Sequence, residues 1–497
     1  MKSCTYNLNL PIKKHIDKLI LEYLITKSAK SKNILIKLHY IDFATRFQFY
    51  SNYYSYCNYN IEKILIDIAN NYNIPLNNPQ KNSLLHVYTN LNGTGGHSLL
   101  SKNWINRSND FTNHTILILQ KSKNKPTWLK ELLSDKVNLI DLSDETNLIN
   151  KSLKLRQLAS EYTAIILYTH MVDIVPVIAF GLKTFYRPII YFNHADHLFW
   201  IGGSISDLVI ENRHYGENIT HKYRNLNNTQ ILPIPINIEN KKIEKFKARE
   251  ILGIDKNIKV FLTIASSYKY KQKNKYPMID LLRKLSKEIN NYIIIFVGPD
   301  SNEKIWKTAA KDNIITVGII PYSDIYLYYS AADIYLDSFP LPSITSTLEA
   351  VAYHLPVVAL QTPYGHADIF KNISLKSKID YINKIKDLFY NSTNVEALYD
   401  NLKIEHSEEN WKDKFNNIEN TIQKINHNVL IRESIFLSDK KQIQTIKKSI
   451  NNGSKLILIP ILLKEIPIID KLLTLVIILY KSNYKLLTML IKRIFKK

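Results

Sequence analysis

DIYLDSFPLPSITSTLEAVAYHLPVVAL, residues 333–360, carries a complete strand–loop–helix–strand unit. DIYLD alternates as a short apolar strand and PLPS is a loop of turn formers. Residues 345–354 then run as a helix, and Pro356 opens a second apolar strand, VVAL. Ser343, Thr345 and Ser346 crowd the loop-to-helix junction, with Thr347 one step inside. The first turn of a helix presents N–H groups without intrahelical partners and a partial positive charge, so hydroxyls there make a cradle for phosphate oxygens. Glu349 stands one turn further in, where a carboxylate can accept hydrogen bonds from a ribose diol. The same residues also satisfy a plainer pattern, an N-cap with a capping box.

Working outward, the strand KVFLTIAS ends in SSYKYKQKNKYP, a lysine-rich loop in which Lys269 lies nearest the strand end and Lys271 follows. A helix at 277–289, the strands YIIIFVG and IITVGII and the helix YSDIYLYYSAA complete an alternating β/α unit. Upstream, the strand SLLHVYT runs into NLNGTGGHS. Gly93, Gly95 and Gly96 fall there in a chain with only 12 glycines, and His97 stands at the start of the next helix. Such a loop lets backbone approach a ligand closely, although neither a dinucleotide fingerprint nor a P-loop is complete. The strands HTILILQ, KVNLIDL, TAIILYTH, RPIIYFN and DLVIE alternate with helical segments. This implies a parallel sheet covered on both faces, with ligands at the carboxyl ends of its strands. Those ends carry His170 and Asp173, then His194, Asp196 and His197. No HExxH is present and the His194–His197 spacing falls on no evident helix, so no metal is expected. Histidine suits instead a general base for a hydroxyl, or a donor to a sugar or phosphate oxygen.

A chain of 497 residues, 45% hydrophobic, is long enough for two or three domains with real cores. The net charge of +22 suits an anionic partner. The abundance of Lys, Asn, Ile and Tyr fits A/T-rich coding equally well, and no nucleic-acid-binding motif accompanies the charge, so nucleic acid is not an expected partner. Two cysteines, Cys4 and Cys57, exclude a disulfide framework and a cysteine-rich zinc site. The first residues lack the continuous apolar core of a signal peptide. A cytoplasmic location is therefore expected, at the inner face of the membrane if the acceptor is lipid-linked.

The 333–360 segment, the GGH loop at 95–97 and NHADHLFWIGGSISDLVIE together resemble GT-B glycosyltransferases over residues 83–430. The resemblance implies an α/β protein of GT-B architecture, two Rossmann-like domains facing a cleft. It divides the chain into a helical N-terminal addition (1–80), an acceptor domain (81–240), a nucleotide-sugar domain (241–435) and an apolar, basic C-terminal tail (436–497). It implies a metal-independent hexosyl- or N-acetylhexosaminyltransferase without a cofactor, using a nucleotide-sugar, expected to be UDP-linked, as donor substrate. Carried residue by residue, it places Lys269 and the helix start at Ser343, Ser346 and Thr347 on the diphosphate, and Glu349 on the ribose. Gly95 and Gly96 fall beside the donor. His97, His194 and His197 fall at the donor sugar and acceptor hydroxyl. Residues 319–322 are expected near the base, and the backbone of Gly365 and His366 near the donor sugar.

One departure is Leu341, where many retaining members carry Glu. The hydroxyl-rich loop is similar to that of O-GlcNAc transferases and cytoplasmic N-glycosyltransferases, so the stereochemistry stays open. The acceptor is read as a cell-surface glycan or lipid-linked sugar. A protein acceptor and a catalytically silent GT-B scaffold that binds a partner or membrane are the alternatives. Residues 455–497 are apolar and basic, but charges and two prolines interrupt them before the roughly 18 uncharged residues a spanning helix needs. They read as a peripheral membrane segment or as a buried helical pair.

Overall fold

The computed structural model describes residues 10–439, apart from 92–98, 123–124, 134–136, 240–241, 272–274 and 310–312, together with 442–444 and 446. Gly93, Gly95, Gly96 and His97 therefore lie outside the described residues, as does the tail at 455–497. Among the described residues no helix is long and apolar enough to cross a membrane.

Two parallel sheets organise the chain. The first has seven strands in the order β3-β2-β1-β4-β5-β6-β7. They are β1 (Ser83–Tyr88), β2 (Asn113–Ile118), β3 (Val137–Asp141), β4 (Ala164–Tyr168), β5 (Ile189–Asn193), β6 (Leu208–Glu211) and β7 (Thr229–Ile231). The second has five, in the order β10-β9-β8-β11-β12. They are β8 (Lys259–Ile264), β9 (Tyr292–Val297), β10 (Ile314–Gly318), β11 (Ile334–Leu336) and β12 (Val357–Val358). The continuous apolar runs in the sequence are these strands, buried on both faces as parallel strands must be. In each sheet the strand order reverses once, between β1 and β4 and between β8 and β11, which opens a crevice at the carboxyl ends there.

The helices Leu10–Lys30, Ile34–Tyr50 and Tyr59–Asn70 cover one face of the first sheet. Asn33 and Asn58 each cap the following helix, their side chains accepting from backbone N–H groups of the first turn. The Glu62 carboxylate docks this module: it accepts from the N–H groups of Gly202 (2.9 Å), Gly203 (3.2 Å) and Ser204 (2.7 Å) and from the Cys57 thiol (3.0 Å). A Cβ at Gly203 would lie 2.7 Å from the Tyr59 hydroxyl, so the WIGGS turn needs glycine for this contact.

On the other face, the helix Glu408–Ile422 crosses from the second sheet to the first and packs Trp411, Phe415, Ile418 and Ile422 against Tyr88 and Trp104. The following chain continues along the first domain, where His427 contacts Asp207 (2.8 Å) and Phe180 O (2.9 Å). At the crossing between domains, Ile236 N donates to His406 O (2.9 Å) and Trp411 Nε1 to Pro233 O (2.7 Å).

Two helices differ from the sequence reading. The 277–289 segment is a helix at Pro277–Leu282 followed by a 3-10 turn at Leu285–Lys287, which turns Leu285 and Ile289 into the second core. The helix expected at 345–354 is Ile344–Ala352. His354 takes a left-handed conformation (φ 57°), because Pro356 two residues on cannot continue a helix and the chain must reverse into β12.

Candidate active site

A cleft of about 2050 Å³ lies between the sheets, lined from one side by His170, His194, His197 and Arg213 and from the other by Lys269, Ser346 and Glu349. Its second-domain wall is built at the β8/β11 crevice. After β8 the chain makes a 3-10 turn, Ser267–Tyr270, which carries Lys269. After β11 comes the loop into the helix Ile344–Ala352. The two are clipped together, with Leu341 N donating to Lys269 O (3.2 Å) and Lys269 Nζ to Pro342 O (3.1 Å).

Asp337 organises this loop. Its carboxylate is buried and accepts from Ser343 N (2.9 Å), the Thr347 hydroxyl (2.9 Å) and the His366 ring (3.0 Å). The N-cap residue Ser343 makes no side-chain bond to the first turn, and Ile344, Thr345 and Ser346 all face the cleft. The start of the helix is thus open to an anion. The Ser343 and Ser346 hydroxyls lie 2.8 Å apart and both reach Ile264 O at the end of β8, at 2.9 and 3.0 Å.

Thr347 is a correction to the sequence reading. It is buried, its hydroxyl also donates to Ser343 O (2.7 Å), and it does not line the cleft. At helical spacing it points to the side of the helix opposite the cleft, towards Asp337. Neither Gly365 nor His366, whose backbone the sequence reading expects near the donor sugar, is among the cleft residues. The Gly365 N–H donates to Thr362 O, and the His366 ring sits between Asp337 and Leu360 O (3.0 Å). Gly365 instead receives Tyr215 from the first domain, where a Cβ would lie 2.9 Å from the Tyr215 ring. Lys271 turns towards the Tyr276 ring (5.9 Å) and is not among the cleft residues.

Electrostatics distinguishes the groups that do face the cleft. Burial lowers the Lys269 ammonium to about 8; Asp337 opposes the shift and Arg213 adds to it. Burial raises the Glu349 carboxyl, partly offset by hydrogen bonds from Tyr329 (2.9 Å) and Tyr322 (3.0 Å). Across the cleft, burial works against the Asp196 charge. Arg213 and His197 overcome it and hold the carboxyl well below the usual range. Arg213 grips Asp196 with two bonds (2.6 and 3.0 Å) and donates a third to His366 O (3.1 Å), tying the two domains together beside Lys269. The His197 Nδ1 faces Asp196 (3.2 Å), a contact in which only the ring can donate, so this tautomer leaves the basic lone pair on Nε2. His194 lies nearby with Nδ1 3.4 Å from Phe192 O. Behind them, burial pushes Glu211 up to about 7, against hydrogen bonds from Thr220 and Asn193. Among the described residues no three His, Cys, Asp or Glu side chains are grouped to hold a metal ion.

The sequence reading missed Arg213, Asp196 as its partner, and the tyrosine pair on Glu349. A cation two residues after the β6 strand was a usable signal for Arg213, since strand ends of the first sheet line the cleft.

Residues 244–403 match the family Glycosyl transferases group 1. No curated protein matches the sequence. Among solved structures, the Anabaena HepE complex with UDP and glucose aligns with a TM-score of 0.53 at 16% identity, covering 70% of this chain and 100% of that one. The lipopolysaccharide outer core galactosyltransferase WaaB aligns at 0.50 and 14%, covering 68% and 99%. Sucrose-phosphate synthase from Thermosynechococcus elongatus aligns at 0.51 and 13%, covering 68% and 99%. With two Rossmann-like sheets facing a cleft, the chain has the GT-B fold, and residues 244–403 in its second half match the group 1 family of glycosyl transferases.

Proposed function

We propose that the protein transfers a sugar from a UDP-linked donor to a glycan or lipid-linked acceptor, without a metal. The observation that carries this reading is the second-domain wall. There an ammonium, an open helix start and a carboxylate face one cleft in the order that a diphosphate and a ribose require. In the reaction the bond from the anomeric carbon to the diphosphate breaks, and the acceptor oxygen forms a new bond to that carbon. Lys269 and the helix start at Ser346 receive the negative charge that develops on the leaving diphosphate. Glu349 holds the ribose. His197, oriented by Asp196, takes the proton from the acceptor hydroxyl, and His194 lies beside the donor sugar. Support for a UDP-linked hexose donor comes from HepE, whose structure holds UDP and glucose, and from WaaB, named a galactosyltransferase.

Calorimetric titration of UDP and GDP, with Glu349→Ala alongside the wild type, tests the donor site. The expected result is micromolar binding of UDP that is lost or strongly weakened in the variant. Failure of UDP, GDP and other nucleotides to bind a demonstrably folded protein would overturn the donor assignment. Radiolabelled donor then separates the acceptors: label in a lipid or glycan fraction supports the reading, and label in protein refutes it.

A further inference from the structure

Glu349 is held by two phenols of opposite character. Tyr329 is 1% exposed, and its ring stacks on Tyr353 at 4.8 Å. Its hydroxyl lies 2.9 Å from Glu349 Oε2 and 3.0 Å from Ser346 O. Tyr322 is 73% exposed, on the short 3-10 turn Tyr322–Asp324 at the cleft rim, and its hydroxyl lies 3.0 Å from Glu349 Oε1. Two phenol protons thus serve three acceptors: both carboxylate oxygens and the Ser346 carbonyl. Tyr329 cannot leave without opening the core. Tyr322 can, because water replaces its bond at little cost. Oε1 is therefore the oxygen that another hydroxyl can claim from the cleft, which Glu349 lines.

We propose that Tyr322 is a placeholder for the nucleotide's ribose: its hydroxyl and a ribose hydroxyl compete for Glu349 Oε1, and binding requires Tyr322 to swing off. The inference rests on the donor-site reading above. It adds a residue that sets affinity by opposing the ligand rather than by contacting it in the complex. A competitor on the protein lowers apparent affinity by the fraction of time it holds the site, and removing it restores that fraction.

The experiment is calorimetric binding of UDP and of 2′,3′-dideoxy-UDP to wild type and Tyr322→Phe, with thermal melts to establish folding. The phenylalanine keeps the ring and removes only the hydroxyl. The expected result is that Tyr322→Phe binds UDP about three- to tenfold more tightly, as the loss of one competing hydrogen bond implies. Its affinity for the dideoxy nucleotide should match that of wild type. Unchanged or weaker UDP binding by Tyr322→Phe overturns the proposal, and so does an equal gain for both nucleotides, which would mark a general loosening of the turn. If neither GDP nor UDP binds folded wild type, the donor-site reading itself falls and takes this inference with it, an outcome distinct from UDP binding that the substitution leaves unmoved.

Discussion

Lys269 sits close to its own titration at physiological pH. Burial favours its neutral form, and the ammonium is lowered to about 8. A bound diphosphate favours the charged form and raises the pKa again, so binding takes up a proton wherever the free side chain is partly neutral. The expected outcome is UDP affinity that is flat between about pH 7 and 7.5 and then falls, approaching tenfold per pH unit above about 8. Calorimetry in buffers of different ionisation enthalpy should show the uptake. Lys269→Arg should bind without this fall, since guanidinium stays charged. Lys269→Met should weaken UDP by about ten- to a hundredfold, the range for hydrogen bonds to charged groups. A pH-independent wild type would refute the role of Lys269 at the diphosphate.

At the scale of the element, the helix Ile344–Ala352 separates two jobs by face. Ser346 and Glu349 look into the cleft, while Thr347 looks back at Asp337 and holds the loop. Thr347→Val keeps the shape and removes one hydroxyl that donates to two buried acceptors. It should lower unfolding free energy by about 1.5–3 kcal/mol, the range for one hydrogen bond to a charged group, since Asp337 keeps the Ser343 N–H and the His366 ring. Denaturant titration would show this as an earlier midpoint. UDP affinity should change by no more than about twofold. A large loss of UDP affinity with stability unchanged would instead return Thr347 to the donor site. From the sequence Ser346 and Thr347 look equivalent, since each lies at a helix start. Only the 100° advance per residue, combined with the side on which Asp337 falls, tells Ser346 from Thr347.

For the whole molecule, the three N-terminal helices share an apolar core with the first sheet, and one buried carboxylate gathers several of the polar contacts that dock them. Glu62 gathers the N–H groups of Gly202, Gly203 and Ser204, together with the Cys57 thiol, in a fully buried site. Glu62→Gln replaces one acceptor oxygen by a donor that would face donors. It should destabilise the fold by about 1–3 kcal/mol, the cost of leaving a buried donor unpaired. Limited proteolysis should then cleave first in the connection between Asn70 and β1. An unchanged melting temperature and unchanged proteolysis would show that Glu62 is not needed to hold the module. The module matters to the cleft because the end of its second helix brings Arg46 and Tyr50 to the cleft wall. Arg46 is clamped there by Asp42 at 2.8 and 3.1 Å.

The order of apolar strands, the loop and helix of residues 333–360, the placing of Lys269 just beyond a strand end and that of Glu349 one turn into a helix could all be read from the sequence, because they depend on local periodicity and on residues a few positions apart. Tertiary structure alone decided the pairing of Arg213 with Asp196 and its reach to the His366 carbonyl. It alone decided the burial of Thr347, the use of Gly365 as a seat for Tyr215 and the two phenols on Glu349. Each of these joins groups far apart along the chain, or depends on which side of an element meets a neighbour. A carboxylate's partners and its ionisation follow from what packs around it, and that is settled only when the two sheets close on their shared cleft.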